Sequence, residues 1–179
     1  MKTLLVCASR YGSTLEIGRW IAERLPWTEV VVASVENAPP PDEHDLIFLG
    51  GGVYNEKVDR AIVQYAETHA EALQKKRVVA YAACLDTRGV YMKGKFFGGW
   101  LYLEPLLQSL DAGCLVHAAA LSGEINPSKL SQKDHELLMH FYTKILKRDM
   151  AEVPYRTLMS KAEVWEFVEK VMARLEGRF

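Results

Sequence analysis

Ser9-Arg10-Tyr11-Gly12-Ser13-Thr14 is the stretch on which the fold turns. It follows the apolar run Thr3 to Ala8 and opens a segment where Leu15, Ile17, Trp20, Ile21 and Leu25 recur at helical spacing until Pro26 ends it. A buried strand thus runs through a loop of small and hydroxyl residues into an amphipathic helix. Backbone N–H groups and hydroxyls in such a loop, backed by the positive end of the helix, can hold a phosphate. The loop lacks the glycine spacing of a dinucleotide fingerprint and the Gly-Lys-Ser/Thr ending of a nucleoside-triphosphate loop. A single mononucleotide phosphate is the group it suits. The same residues also read as an ordinary turn in which Ser13 or Thr14 caps the helix.

Outward from that loop, five apolar, β-branched-rich runs appear: Thr3 to Ala8, Glu29 to Ser34, Leu46 to Gly50, Val78 to Ala83 and Cys114 to Leu121. They are nearly continuous rather than alternating, as strands covered on both faces are. Helical patterns separate most of them. The pattern Val58, Ala61, Ile62, Tyr65, Ala66, His69, Leu73 predicts one helix, and Trp100 to Leu110 another despite Pro105. Ala38-Pro39-Pro40-Pro41-Asp42 predicts a loop or a short, poorly formed helix. Ser131 with Asp134, and Ser160 with Glu163, read as capping boxes for the last two helices. Alternating strand and helix implies an α/β fold: a doubly wound, five-stranded parallel sheet of order 2-1-3-4-5 with helices on both faces. Ligands in that order sit beyond the carboxyl ends of strands 1 and 3. The loops at 9–14, at 50–55 and from 84 onward all emerge there.

With 179 residues, 49% of them hydrophobic, the chain is long enough for one domain over 1–179 with a sizeable core. No apolar run reaches membrane-spanning length, and the run after Lys2 is too short for a secretion signal, so a cytoplasmic protein is expected. Cys7, Cys84 and Cys114 sit in apolar segments far apart, which predicts reduced structural thiols rather than a disulfide or a metal site. A formal net charge of −1 argues against nucleic acid as the main ligand.

Gly50-Gly51-Gly52 is costly to order unless the backbone takes positive φ or approaches something closely. At the end of strand 3 it can meet the edge of a flat ring on whose face Tyr54 stacks; a tight turn with Tyr54 packed on its neighbours is the alternative. Tyr91, Phe96, Phe97 and Trp100, among Lys93 and Lys95, form either a second ring-stacking wall or an irregular loop with packed aromatics. None of His44, His69, His117, His135 and His140 pairs with a nucleophile at a recognisable spacing, and no metal motif is present. An acidic pair after strand 1, which a receiver domain needs, is replaced by Ser9 and Arg10. The hard chemistry must therefore come from a cofactor.

On these residues the sequence resembles the flavodoxin superfamily, whose FMN phosphate loop matches Ser9 to Thr14. Within it the chain is similar to the menaquinone-dependent protoporphyrinogen oxidase branch. That likeness runs through Met1-Lys2-Thr3-Leu4, Gly50 to Asn55 and the helix after it, His140 to Leu146, and the last helix around Trp165. The resemblance implies FMN as cofactor, with Ser9, Arg10, Tyr11, Gly12, Ser13 and Thr14 at its phosphate. It implies Gly51, Gly52, Val53, Tyr54 and Asn55 beside the isoalloxazine, and Cys84, Leu85 and Asp86 at the ring's polar edge. It assigns no catalytic side chain. The chain departs from the oxidase branch at Tyr54-Asn55-Glu56 and at Ser122 to Pro127, where that branch carries basic and aromatic residues.

Three functions follow as expectations. The first is an FMN oxidoreductase acting on a quinone or a tetrapyrrole; the segment Tyr91 to Trp100 with Lys144, Lys147 and Arg148 then offers an amphipathic face for a quinone or for a peripheral membrane contact, or simply a solvated helix end. The second is a flavodoxin-type electron carrier that docks on a redox protein partner. Carriers of that kind are strongly acidic, and this chain is not. The third is a binding module that keeps the fold without the cofactor.

Overall fold

The computed structural model describes residues 1–92 and 94–177. Strand β1 (Thr3–Ala8) is buried along its whole length. Helix α1 (Ser13–Arg24) lays Ile17 and Ile21 on the sheet and stops before Pro26. After β2 (Val30–Ser34), the prolines allow only a short 3₁₀ turn at Pro41–Glu43, as their missing N–H groups dictate. Strand β3 (Leu46–Tyr54) runs well past the apolar stretch and folds back into β4 (Lys57–Val58). Helix α2 (Arg60–Thr68) follows, and the chain breaks at His69 before the single turn α3 (Ala70–Leu73).

Strand β5 (Arg77–Cys84) leads into the small hairpin β6 (Val90–Met92) and β7 (Lys95–Phe97). A 3₁₀ turn at Gly99–Leu103 then opens α4 (Glu104–Gln108), where Pro105 sits in the first turn and costs no hydrogen bond. After β8 (Leu115–Ser122) come β9 (Glu124–Ile125), α5 (Gln132–His140) with a wide turn at Phe141–Ile145, β10 (Arg156–Thr157) and α6 (Lys161–Leu175). Both expected capping hydroxyls act as such: Ser131 accepts from Asp134 N and Ser160 from Glu163 N.

Five parallel strands lie in the order β2-β1-β3-β5-β8, the expected flavodoxin-like arrangement. One core joins the sheet to α2, the Gly99–Leu103 turn and α4 through Ile62, Ala66, Leu103 and Leu106. The other joins the opposite face to α1 and α6 through Ile17, Ile21, Val164, Phe167 and Val168. Helices therefore cover both faces. The central strands are buried on both sides, whereas β2 and β8 are edge strands whose side chains are mostly half-buried. The sequence pattern overstated burial there, because a run of Val or Ala reads alike at the edge and in the middle.

Two helix expectations need correction. Val58 belongs to the β3–β4 hairpin, and the helix begins only after Asp59, whose carboxylate caps it by accepting from Ala61 N at 2.9 Å. The segment from Trp100 to Leu110 is a 3₁₀ turn plus a short helix rather than one helix.

His117 lies on the edge strand β8, stacked on Phe167 with centroids 5.6 Å apart. Burial, then the charges of Arg174 and Lys170, push its imidazole down from 6.5 to about 4. The unfolded chain takes up this proton first as pH falls, so the contribution of neutral His117 is complete above pH 6.5 and disappears on the way down to pH 4. The variant His117→Gln is expected to lose less stability than the parent between pH 7.5 and pH 4.5, as read from urea midpoints. Equal losses in both would show that His117 carries no acid sensitivity.

Candidate functional site

The register of the sheet brings the candidate loops to one edge. Ala8 pairs with Gly51, Gly52 with Ala83, and Cys84 with Ser122, so the ends of β1, β3, β5 and β8 stand side by side. The sheet order reverses between β1 and β3, with α1 leaving on one face and α2 on the other.

At the end of β1 the chain turns through Gly12, which has φ 97° and open space around the position of a side chain. That left-handed geometry suits glycine and strains other residues. Ser9 Oγ accepts from Gly12 N at 3.1 Å and so closes the turn from within. Neither Ser13 nor Thr14 caps the helix. The N-cap is Gly12, and among the described residues no side chain bonds to the N–H groups of Ser13, Thr14 or Leu15 that follow it. The first intrahelical bond is Glu16 N to Gly12 O, leaving the N–H groups of Ser13, Thr14 and Leu15 without helical acceptors. Thr14 is fully buried and its Oγ1 has no hydrogen-bond partner among the described residues. A buried hydroxyl left unpaired costs about 1–3 kcal/mol. An uncapped helix start with an orphaned buried hydroxyl beside it is a donor set suited to an anion.

Three side chains brace this loop. Arg10 Nε lies 3.1 Å from Asp59 Oδ2, its Nη1 lies 3.6 Å from Asp134, and its guanidinium covers the Tyr54 ring at 4.0 Å. Tyr11 donates to Asp134 Oδ2 at 2.5 Å, a charge-assisted bond worth about 1.5–3 kcal/mol. Tyr54 Oη accepts from Arg10 N at 3.2 Å, and its ring meets Tyr11 edge-on at 6.1 Å. Burial is the main reason the Tyr54 phenol is pushed up to about 12, so it stays protonated. Asp59 and Asp134 had no signal as site residues; the first falls inside the expected helical pattern and the second reads as half of a capping box. Their meeting through Arg10 depends on the fold.

Gly50, Gly51 and Gly52 are not a loop. They continue β3, and none has positive φ. The alternative reading, close approach, applies: a Cβ on Gly50 would lie 2.1 Å from Tyr81 Cζ. Val53 and Tyr54 pair with Val58 and Lys57 across a two-residue turn at Asn55 and Glu56, whose φ values are 51° and 63°. Two left-handed residues make a type I′ turn, for which Asn-Gly is the preferred pair. Glu56→Gly is therefore expected to stabilise the protein by about 0.5 kcal/mol, strain relief outweighing the added chain entropy. The readout is a higher melting temperature; an unchanged or lower one would remove the turn as a site of strain.

After β5, Cys84 is buried and its thiol, pushed up to about 12 chiefly by burial, donates to Asp86 O at 3.4 Å. Asp86 Oδ1 accepts from Gly89 N at 2.9 Å, and Asp86 O accepts from Gly99 N. Leu85 lies half-buried between them. Asp86 thus ties both ends of the β6–β7 hairpin. On that hairpin Tyr91 and Phe96 rings lie 5.3 Å apart, and Phe96 stacks on Trp100 at 6.5 Å. Tyr91 is 75% exposed and Trp100 59%. Lys93 lies outside the described residues. A cavity of about 180 Å³ opens between Glu56 and Lys57 on one side and Phe96, Phe97 and Tyr102 on the other.

A Flavodoxin domain family model matches residues 4–151. The chain belongs to the flavodoxin-domain family. No curated protein sequence matches this flavodoxin-domain chain. Among solved structures, oxidised flavodoxin 2 from Bacillus cereus superposes with a TM-score of 0.55 at 17% identity, over 97% of this chain and 99% of that one. A short-chain flavodoxin associated with a PDU bacterial microcompartment gives 0.55 at 12% identity over 100% of both chains. The rubredoxin oxygen:oxidoreductase of Desulfovibrio gigas gives 0.51 at 14% identity, over 97% of this chain and 37% of that protein. At such identities the likeness is one of fold. The family match ends before α6, which nonetheless completes the core over α1 through Val164, Phe167 and Val168.

Proposed function

We propose that this flavodoxin-domain chain, as one domain over 1–179, binds FMN and works as an FMN-dependent oxidoreductase on a quinone or a tetrapyrrole. The orphaned Thr14 hydroxyl at an uncapped helix start carries the cofactor reading. Membership of the flavodoxin-domain family supports it. When bound, FMN supplies one- and two-electron transfer.

The chain's own part is to hold and orient. Thr14 Oγ1 and the N–H groups of Ser13, Thr14 and Leu15 would take the phosphate, with Gly12 setting the turn and Ser9 closing it. Arg10 N is already engaged by Tyr54, and the Arg10 guanidinium by Asp59 and Asp134, so this residue would brace the loop rather than neutralise the phosphate. Tyr11 would brace it likewise through Asp134. Gly51, Gly52, Val53, Tyr54 and Asn55 on one side, and Cys84, Leu85 and Asp86 on the other, would border the ring. The family's protoporphyrinogen oxidase branch remains the finer expectation for the substrate. The ladder of exposed Tyr91, half-buried Phe96 and exposed Trp100 beside the third loop supports a flat aromatic substrate over a purely protein partner.

No helix among the described residues is long and apolar enough to cross a membrane. Exposed Leu137, Phe141, Ile145 and Leu146, next to Lys144, Lys147 and Arg148, support a peripheral contact with an anionic membrane surface as part of this reading.

The decisive experiment is purification followed by an absorption spectrum and identification of the flavin released on denaturation. Yellow protein releasing FMN is expected. Colourless protein that takes up no added FMN would defeat the cofactor reading. Turnover of quinones or protoporphyrinogen by the isolated protein supports the enzyme. Reduction through a reductase without small-molecule turnover would make the chain a carrier instead.

A further inference from the structure

Under the proposed phosphate loop a tyrosine crosses the sheet. Cys7 of β1, Gly50 of β3 and Tyr81 of β5 occupy one row of the register. The Tyr81 ring lies along that row over Gly50, the space a Cβ there would fill. Its hydroxyl comes 3.3 Å from Cys7 Sγ and donates to Thr14 O, in the first turn of α1, at 3.1 Å. Gly18, one helical turn later, also makes room: a Cβ would stand 2.7 Å from Cys7 Sγ and 3.3 Å from Tyr81 Oη. Two glycines and a small cysteine, on three different elements, thus give way to one phenol.

We propose that Tyr81 is a positioning residue for phosphate binding, holding the start of α1 at the height where Thr14 and the first N–H groups converge on the phosphate of FMN. This inference rests on the FMN reading above. Its physical basis is direct. Thr14 O already accepts an intrahelical bond by helix geometry, and its second lone pair takes the Tyr81 proton. That second bond secures nothing the helix itself needs. It ties the residue with the orphaned hydroxyl to the central strand β5. With its own proton given to Thr14, the Tyr81 oxygen is free to accept from the Cys7 thiol, a short chain of donors running from β1 to α1. Burial keeps both groups protonated: Cys7 is pushed up to about 11 and Tyr81 well above its ordinary range.

The test compares flavin-stripped parent protein with Tyr81→Phe, which keeps the ring and removes the hydroxyl. Dissociation constants for FMN and for riboflavin, which lacks the phosphate, are read by fluorescence titration. The expected result is FMN affinity about tenfold weaker in the variant, riboflavin affinity unchanged, and a melting temperature within a few degrees of the parent. A second probe is inorganic phosphate, which should raise the melting temperature of the parent apoprotein more than that of the variant. Cys7→Ala, which leaves the bond to Thr14, should weaken FMN by a smaller factor. Unchanged FMN affinity in Tyr81→Phe overturns the inference, and so does an equal loss for both flavins, since a merely structural tyrosine would do that. Failure of the parent itself to bind FMN is a separate outcome that overturns the cofactor reading and this inference with it.

Discussion

Gly50→Ala is expected to destabilise the protein by about 3 kcal/mol or more, the upper end of overpacking costs, and to lower its melting temperature by roughly 10 °C. The added methyl would sit 2.1 Å from Tyr81 Cζ and 2.4 Å from Tyr81 Oη, inside any permissible contact. The ring has nowhere to go. It is fully buried, meets Phe167 at 6.3 Å on the helix side, and is tied at its far end to Thr14. Strand β3 is central and paired on both edges, so its backbone cannot retreat either. The control is Tyr81→Val, which costs stability alone but should recover part of the loss in the Gly50→Ala background, because the two positions share one space. Urea unfolding of the two single variants and the double variant measures this coupling. Additive losses would mean that the ring and the glycine do not compete.

Thr14→Val is expected to separate stability from binding, moving them in opposite directions. The hydroxyl it removes is buried and unpaired, and valine fills nearly the same volume, so the apoprotein should gain about 1 kcal/mol. The same change takes away a donor to a charged phosphate, a bond worth about 1.5–3 kcal/mol, so FMN affinity should fall between about tenfold and a hundredfold. Urea midpoints of the apoprotein give the first number and flavin titration the second. Retained affinity would show that Thr14 is not a phosphate ligand. A loss of stability would show that its hydroxyl has an acceptor in the fold.

Much of the architecture was legible because it rests on local pattern. Runs such as Leu4 to Ala8 and Val78 to Ala83 announce buried strands, Pro26 stops a helix, and Ser131 and Ser160 announce caps; each signal lies within a few residues of what it determines. The strand order then follows from the connections. The glycines at 50 to 52 were misplaced for a physical reason. Composition marks them as a loop, but their use is to admit side chains arriving from elsewhere, such as Tyr81 from a neighbouring strand. Nothing near Gly50 in sequence announces that ring. The same holds for the bracing of Arg10, whose partners Asp59 and Asp134 are brought to it by separate elements. Tyr81 itself read as one more strand residue, since a buried phenol and a buried phenylalanine look alike until the acceptor of the hydroxyl is known.

The buried thiols have a consequence for working in air. Cys7, Cys84 and Cys114 are all free and buried, and each is raised above the ordinary thiol value, mainly by burial. Only the thiolate reacts readily with peroxide, and a thiol raised to about 11 or 12 is almost entirely protonated at neutral pH. Reduced flavins meeting dioxygen yield hydrogen peroxide as a side product. The cysteine nearest the proposed ring, Cys84, is among those shielded in this way, with its proton directed at Asp86 O. In the proposed arrangement the thiol beside the ring would thus be a poor nucleophile toward that peroxide.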